Sequence, residues 1–277
     1  MLFNNIKLKS KAQFFVYSNI WVSFCVLGLA LSSEILLQTS NTHLLQFVFF
    51  ATLFIYNFQR LVRVYKGHRH ARKAWAQKNK KSVFFLMLCS LAVSLYKFID
   101  FRLITQAVIF LLAVISVSYP FGLRKIPFLK IVIISLVWSI STMLLLVFEN
   151  DVVISLNEIL HLVVRFLFVF AITIPFDIRD LHYDNKNVIT LPLFFGVGKS
   201  KLIAYLALAI CMLISGIQNF KGNLMLAHLL AIILLCFNSL IFVWNSNENR
   251  DEMYFSFWGE GLSICSYLFL VILLLIC

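Results

Sequence analysis

Ile174-Pro175-Phe176-Asp177-Ile178-Arg179-Asp180-Leu181-His182-Tyr183-Asp184-Asn185-Lys186 follows directly on an apolar run that begins near Leu160. If a helix continues past Pro175, the spacing Asp-x-x-Asp-x-x-x-Asp sets positions 177, 180 and 184 on one face. Carboxylates so placed repel one another and are costly to remove from water unless a cation joins them. For all-oxygen ligands the expected cation is Mg²⁺, which keeps several waters and is completed by substrate phosphates. The plain alternative is a solvated charged loop between membrane helices.

The rest of the chain makes a membrane setting unavoidable. Of 277 residues, 61% are hydrophobic and only 13% charged, which excludes a water-soluble domain of ordinary composition. The 29 phenylalanines suit lipid-facing or cavity-lining helix surfaces. Six cysteines lie scattered through apolar runs without metal-ligand spacing and read as small buried hydrophobes. Cys277 is the last residue of the sequence, so no C-terminal prenylation box is expected. The N-terminal segment is basic, but the apolar run after it lacks a small-residue cleavage site. A retained first helix is expected rather than a signal peptide.

A membrane-spanning helix needs about 20 mainly apolar residues. That rule predicts about nine spans: Phe14–Leu31, Leu44–Val64, Val83–Phe98, Leu103–Tyr119, Phe128–Phe148, Ile159–Ile174, Leu202–Ile217, Leu224–Trp244 and Phe255–Ile276. The fold class expected is therefore all-α, a polytopic membrane helical bundle forming one domain over 1–277. A net charge of +12 raises the question of nucleic acid, but the basic residues sit in short loops, as on a cytoplasmic membrane face. The segment near Lys7, the run from Arg60 to Lys81, and Arg124, Lys125, Lys130, Arg179, Lys186, Lys199, Lys201 and Arg250 fall on one side. Lys97, Arg102 and Lys221 fall on the other. This asymmetry predicts a cytoplasmic N-terminus, a C-terminus on the opposite side, the bilayer as partner and no nucleic acid.

Two segments resemble a known family. Ile174–Asp184, followed by Thr190-Leu191-Pro192 and Gly196-Val197-Gly198-Lys199, is similar to the second aspartate-rich motif of the UbiA-type intramembrane prenyltransferases. Ser118-Tyr119-Pro120-Phe121-Gly122-Leu123-Arg124-Lys125-Ile126-Pro127 is similar to another segment of that family. The resemblance implies a UbiA-like bundle around a lipid-accessible cavity, with aspartate-rich loops holding Mg²⁺ and a prenyl diphosphate whose chain passes to an aromatic or similar acceptor. It makes Asp177, Asp180 and Asp184 candidate catalytic and metal-binding residues, and Tyr119, Arg124 and Lys125 candidate diphosphate contacts.

The first family motif, Asn-x-x-x-Asp-x-x-x-Asp, falls at the end of the second span. Asn57 matches it, whereas Leu61 and Tyr65 stand where the aspartates would be. The segment offers Arg60 and Arg63 instead, whose forks bind carboxylate or phosphate bidentately. Three readings are open: these arginines pair with the later aspartates, hold a diphosphate together with Asn57, or merely anchor a helix end. The loss of both aspartates also keeps a second function open, a non-catalytic protein of this fold that binds an isoprenoid lipid or serves assembly.

Other polar groups have plainer readings. Gly67–Lys81 with Trp75 reads as a surface helix on anionic lipid, and His68 with His70 as a solvated pair. Arg165 and Glu260 inside their spans suggest a structural ion pair or a polar cavity, and Asn238 an interhelical hydrogen bond. Asp251 and Glu252 are expected to cap the last span through its dipole, or else to supply charge missing from the first motif. Intramembrane Arg165 and Glu260 also suit a secondary transporter, but no inverted repeat or broken helix pair supports one.

Overall fold

A hydrocarbon layer offers backbone N–H and C=O groups no water, so a chain this apolar satisfies them within helices. The computed structural model describes residues 11–66, 72–123, 126–181 and 188–276. Among the described residues nine helices are long and apolar enough to cross a membrane. They are α1 (Ile20–Leu37), α2 (Thr42–Tyr65), α3 (Lys80–Phe98), α4 (Leu103–Phe121), α5 (Leu129–Glu149), α6 (Leu156–Asp180), α7 (Leu191–Phe220), α8 (Leu226–Asn245) and α9 (Tyr254–Ile276). A short helix, Lys73–Lys78, lies between α2 and α3. Its Trp75 packs edge-on against Phe14 and Tyr17, so this segment docks on the bundle.

Packing runs in a ring. α1 contacts α2 and α2 contacts α3; α4 bridges α2 and α5; α5 through α9 follow in sequence, and α9 returns to α1. The α1–α9 seam is close: a Cβ on Gly28 would lie 2.8 Å from the Ile264 Cα. Small residues permit such backbone approach, which is how helices associate where no hydrophobic force separates them from lipid.

Several boundaries differ from the sequence expectation, each for a local reason. The first span does not run from Phe14 to Leu31. The chain turns at Ser18–Asn19, where Asn19 takes a left-handed φ of 65°, and α1 begins at Ile20. The Asn19 side-chain amide donates to Asn57 Oδ1 at 2.8 Å, and Asn57 donates to the Ser18 and Leu53 carbonyls. That buried exchange fixes the entry of α1 against α2. α6 is 25 residues long rather than a short span. A capping box of Ser155 and Glu158 starts it, and it continues through Pro175 to Asp180. α7 starts at Leu191, with Thr190 extended before it and Pro192 in its first turn, where a missing N–H costs nothing. Gly196 breaks it at φ 81°, a conformation that suits glycine, and the helix then resumes. Asn238 donates to the Leu234 carbonyl of its own helix at 2.8 Å, not across helices.

Candidate functional site

Helix α6 carries Asp177 and Asp180 because Pro175 does not end it. Both carboxylates face inward and are buried, at 1% and 5% exposure. The cation between them is Lys130, in the first turn of α5. Its ammonium lies 2.6 Å from Asp177 Oδ1 and donates to Asp180 Oδ2 at 3.2 Å. Arg179 grips Asp180 Oδ1 with Nε and Nη2, both at 2.8 Å, and reaches Glu252 Oε1 with Nη1 at 3.2 Å.

Glu252 in turn joins the early loop to this cluster. Arg72 donates Nε to Glu252 Oε1 at 2.6 Å and contacts Ser256 Oγ, which itself donates to the same carboxylate at 3.0 Å. Burial works to raise the Glu252 carboxyl, but the Arg179 and Arg72 guanidiniums outweigh it and hold the group below the usual carboxylate range. Glu252 thus serves the charge cluster and not simply as a cap for α9. Aromatic faces complete the cage, with the Arg179 guanidinium 5.2 Å from the Phe176 ring and 5.6 Å from that of Phe255.

Beside this network lies a cavity of about 180 Å³. Arg60 and Arg63 of α2 line it together with Arg72, Lys130, Arg179 and Asp180, so cations from the early segment and a carboxylate from α6 do meet. Its deeper wall is apolar, from Ile133, Ile134 and Val137 of α5 and Ile172 of α6. Tyr119 and Glu260 also line it, and the Tyr119 hydroxyl and Glu260 Oε2 are buried with no hydrogen-bond partner among the described residues. Trp138 donates to the Tyr56 hydroxyl at 3.0 Å, and Gln59 to the Ser116 carbonyl at 2.9 Å; both pairs brace the wall. Gly259 is required here, because a Cβ on it would come 2.5 Å from Phe242 Cζ and 3.1 Å from Phe176 Cζ.

The sequence-derived candidates therefore divide. Arg60, Arg63, Tyr119 and Asp180 line the cavity, and Asp177 stands behind it on Lys130. Asn57 is wholly buried in the α1–α2 exchange and is not part of the lining. Asp184, Arg124, Lys125, His68 and His70 lie outside the described residues. Glu260 and Arg165 do not form the expected pair: Arg165 bonds to α1 and lines a different cavity. Sequence reading passed over Lys130 and Arg72 as loop cations. The usable signal was that Lys130 falls inside a predicted span, where an ionisable group needs a partner.

The described donors do not fit Mg²⁺ held between two carboxylate clusters. Lys130 and Arg179 already neutralise Asp177 and Asp180, α2 offers arginines, and no three His, Cys, Asp or Glu side chains cluster for a metal among the described residues.

The model of the UbiA prenyltransferase family matches residues 76–261. No curated relative matches the chain by sequence. Among solved structures, the apo UbiA homolog from Aeropyrum pernix K1 superimposes with a TM-score of 0.70 at 11% identity, covering 92% of this chain and 97% of that one. A UbiA homolog from Archaeoglobus fulgidus bound to GPP and Mg²⁺ gives 0.68 at 15% identity, over 95% and 98%. The digeranylgeranylglyceryl phosphate synthase structure gives 0.57 at 16% identity, over 97% and 98%. Likeness at these identities establishes a shared fold.

Proposed function

The chain belongs to the UbiA prenyltransferase family, and from that premise we propose that its polar cavity binds a prenyl diphosphate and transfers the prenyl group to an acceptor in the membrane. One observation carries this reading: arginines of α2 and the aspartate helix α6 line one cavity whose deeper wall is apolar. A diphosphate suits the charged end and an isoprenoid chain the apolar one. If the nine apolar helices found among the described residues all cross the membrane, the two ends lie on opposite sides, and we infer from the basic loops that the charged mouth faces the cytoplasm.

Arg60 and Arg63 act as bidentate donors to phosphate oxygens, and the Tyr119 hydroxyl supplies a further donor. As the allylic carbon–oxygen bond breaks, its electron pair leaves with the diphosphate, whose growing charge these donors stabilise. The dry wall shields the cationic carbon until the acceptor attacks it and gives up a proton. Lys130 and Arg179 hold Asp177 and Asp180 in place, whereas the Archaeoglobus fulgidus homolog was solved bound to GPP and Mg²⁺. Asp184, Arg124 and Lys125, which the resemblance also makes candidates for this site, lie outside the described residues.

The test is labelled geranyl diphosphate with purified protein in nanodiscs, with Mg²⁺ or with EDTA. Binding that survives EDTA and is lost in Arg60→Gln and Arg63→Gln is expected; no binding under either condition overturns the reading. A second reading, an isoprenoid-binding protein without catalysis, is favoured by the ammonium seated on Asp177 and Asp180. Binding without transfer to any lipid-extract acceptor would select it.

A further inference from the structure

A second cavity of about 70 Å³ lies in the other half of the bundle, between α1, α6, α7, α8 and α9. Among the described residues its only charged lining residue is Arg165, fifteen residues before Asp180 on α6 and so about 22 Å away along the helix. Arg165 donates to the Leu29 carbonyl at 2.8 Å and to the Ser32 and Ser33 hydroxyls at 3.1 and 2.8 Å. All are neutral oxygens, and Arg165 forms no ion pair among the described residues. A guanidinium at this depth without an opposing charge is expensive.

Two histidines share the lining. His228 is 7% exposed, and neither ring nitrogen has a hydrogen-bond partner among the described residues. His161 stands at the end of a polar chain: Asn223 donates to Asn157, and the Gln218 amide lies 3.4 Å from both the Asn157 carbonyl and the His161 ring. The remaining wall is mainly apolar, with Leu36, Phe168 and Leu270 among it. A cation lacking a counter-charge, an unpartnered buried imidazole and an apolar wall together describe a receptor for an anion carried on a hydrocarbon chain.

We propose that this cavity binds the headgroup of an anionic amphiphile, a carboxylate or a single phosphate, with Arg165 as the charge partner and His228 as a second donor. The volume holds several water-sized groups but is less than half that of the polar cavity, which favours such a headgroup over a diphosphate. This site is independent of the prenyl-transfer reading.

The experiment uses the full chain in phosphatidylcholine nanodiscs, with bound lipid read by native mass spectrometry and by the thermal shift. Probes are oleate and dioleoyl phosphatidic acid, with methyl oleate as the uncharged control. Oleate or phosphatidic acid, or both, are expected to bind at least about tenfold tighter than methyl oleate, and which one does identifies the headgroup. Arg165→Gln should abolish the preference and His228→Leu reduce it. Equal binding of acid and ester, preference that survives Arg165→Gln, or displacement of oleate by geranyl diphosphate would each overturn the proposal. If neither variant folds, the acid-versus-ester comparison on the parent protein decides by itself.

Discussion

Two partly buried arginines on one helix have opposite surroundings. Arg179 is held by Asp180, Glu252 and two aromatic rings, whereas Arg165 touches only a carbonyl and two hydroxyls. The first is part of an internally compensated network, in which each charge is there because its partner is. The second is compensated by nothing described in the chain. The difference teaches that a charge inside this bundle can be held in two ways: in one half by opposite charges that build a wall, and in the other by neutral oxygens alone among the described residues.

The largest expected effect is on the compensated side. Glu252→Ala removes the carboxylate shared by Arg72 and Arg179, and such a break in a buried pair costs about 3–5 kcal/mol. Reversible denaturation in mixed micelles measures it; a loss no larger than that for Arg165→Gln would dissolve the contrast. Arg165→Gln itself removes hydrogen bonds to neutral oxygens and should cost about 1 kcal/mol in lipid-free detergent.

Lys130→Met sharpens the comparison differently. With the ammonium gone, Asp177 and Asp180 are available to a divalent cation, so millimolar Mg²⁺ should raise the melting temperature of this variant and leave the parent protein's unchanged. An equal response from both proteins would mean that Lys130 does not take a metal's place.

Acid reads the same network with a smaller signal. The folded Glu252 carboxyl titrates below its unfolded value, so its contribution is complete above the unfolded value of about 4.3 and fades as pH falls through the folded one. The stability gap between the parent protein and Glu252→Gln should stay constant near neutrality and narrow below about pH 4. A gap that widens in acid contradicts the assignment. The smallest effect belongs to Arg102 and Asp151, paired at 2.8 Å but exposed. Asp151→Asn tolerates the left-handed φ of 57° there and should leave stability unchanged at physiological salt.

Hydropathy made the bundle readable before any coordinates, because backbone satisfaction in lipid leaves a helix as the main option for such runs. Ends were harder. Asn19 turns the chain inside an apolar run, and its reason is an amide partner, Asn57, 38 residues away. Pro175 suggests a helix end, yet α6 passes through it. The charged cavity was legible in its outline, since Arg60, Arg63 and Asp180 were singled out and do meet. Lys130 and Arg72 were not, because counting them as loop charges hid that each is buried. The role of Glu252 depends on where α9 starts, which periodicity does not fix. A polar cavity at Arg165 was one of two readings open from sequence, and its full lining was not legible because the polar residues come one or two at a time from five helices.

One irregularity couples these two regions. The first turns of α9, Tyr254–Gly259, are wound as a π-helix, in which each turn takes up one residue more than an α-turn. Everything beyond it is therefore rotated by about 100° from where an unbroken helix would leave it. Glu260 looks into one cavity, and Ser266 and Leu270 into the other, so a single supernumerary residue sets the azimuth of both walls. Deleting any residue from that stretch would turn the shaft like a misindexed gear, spoiling two chambers that share no lining residue.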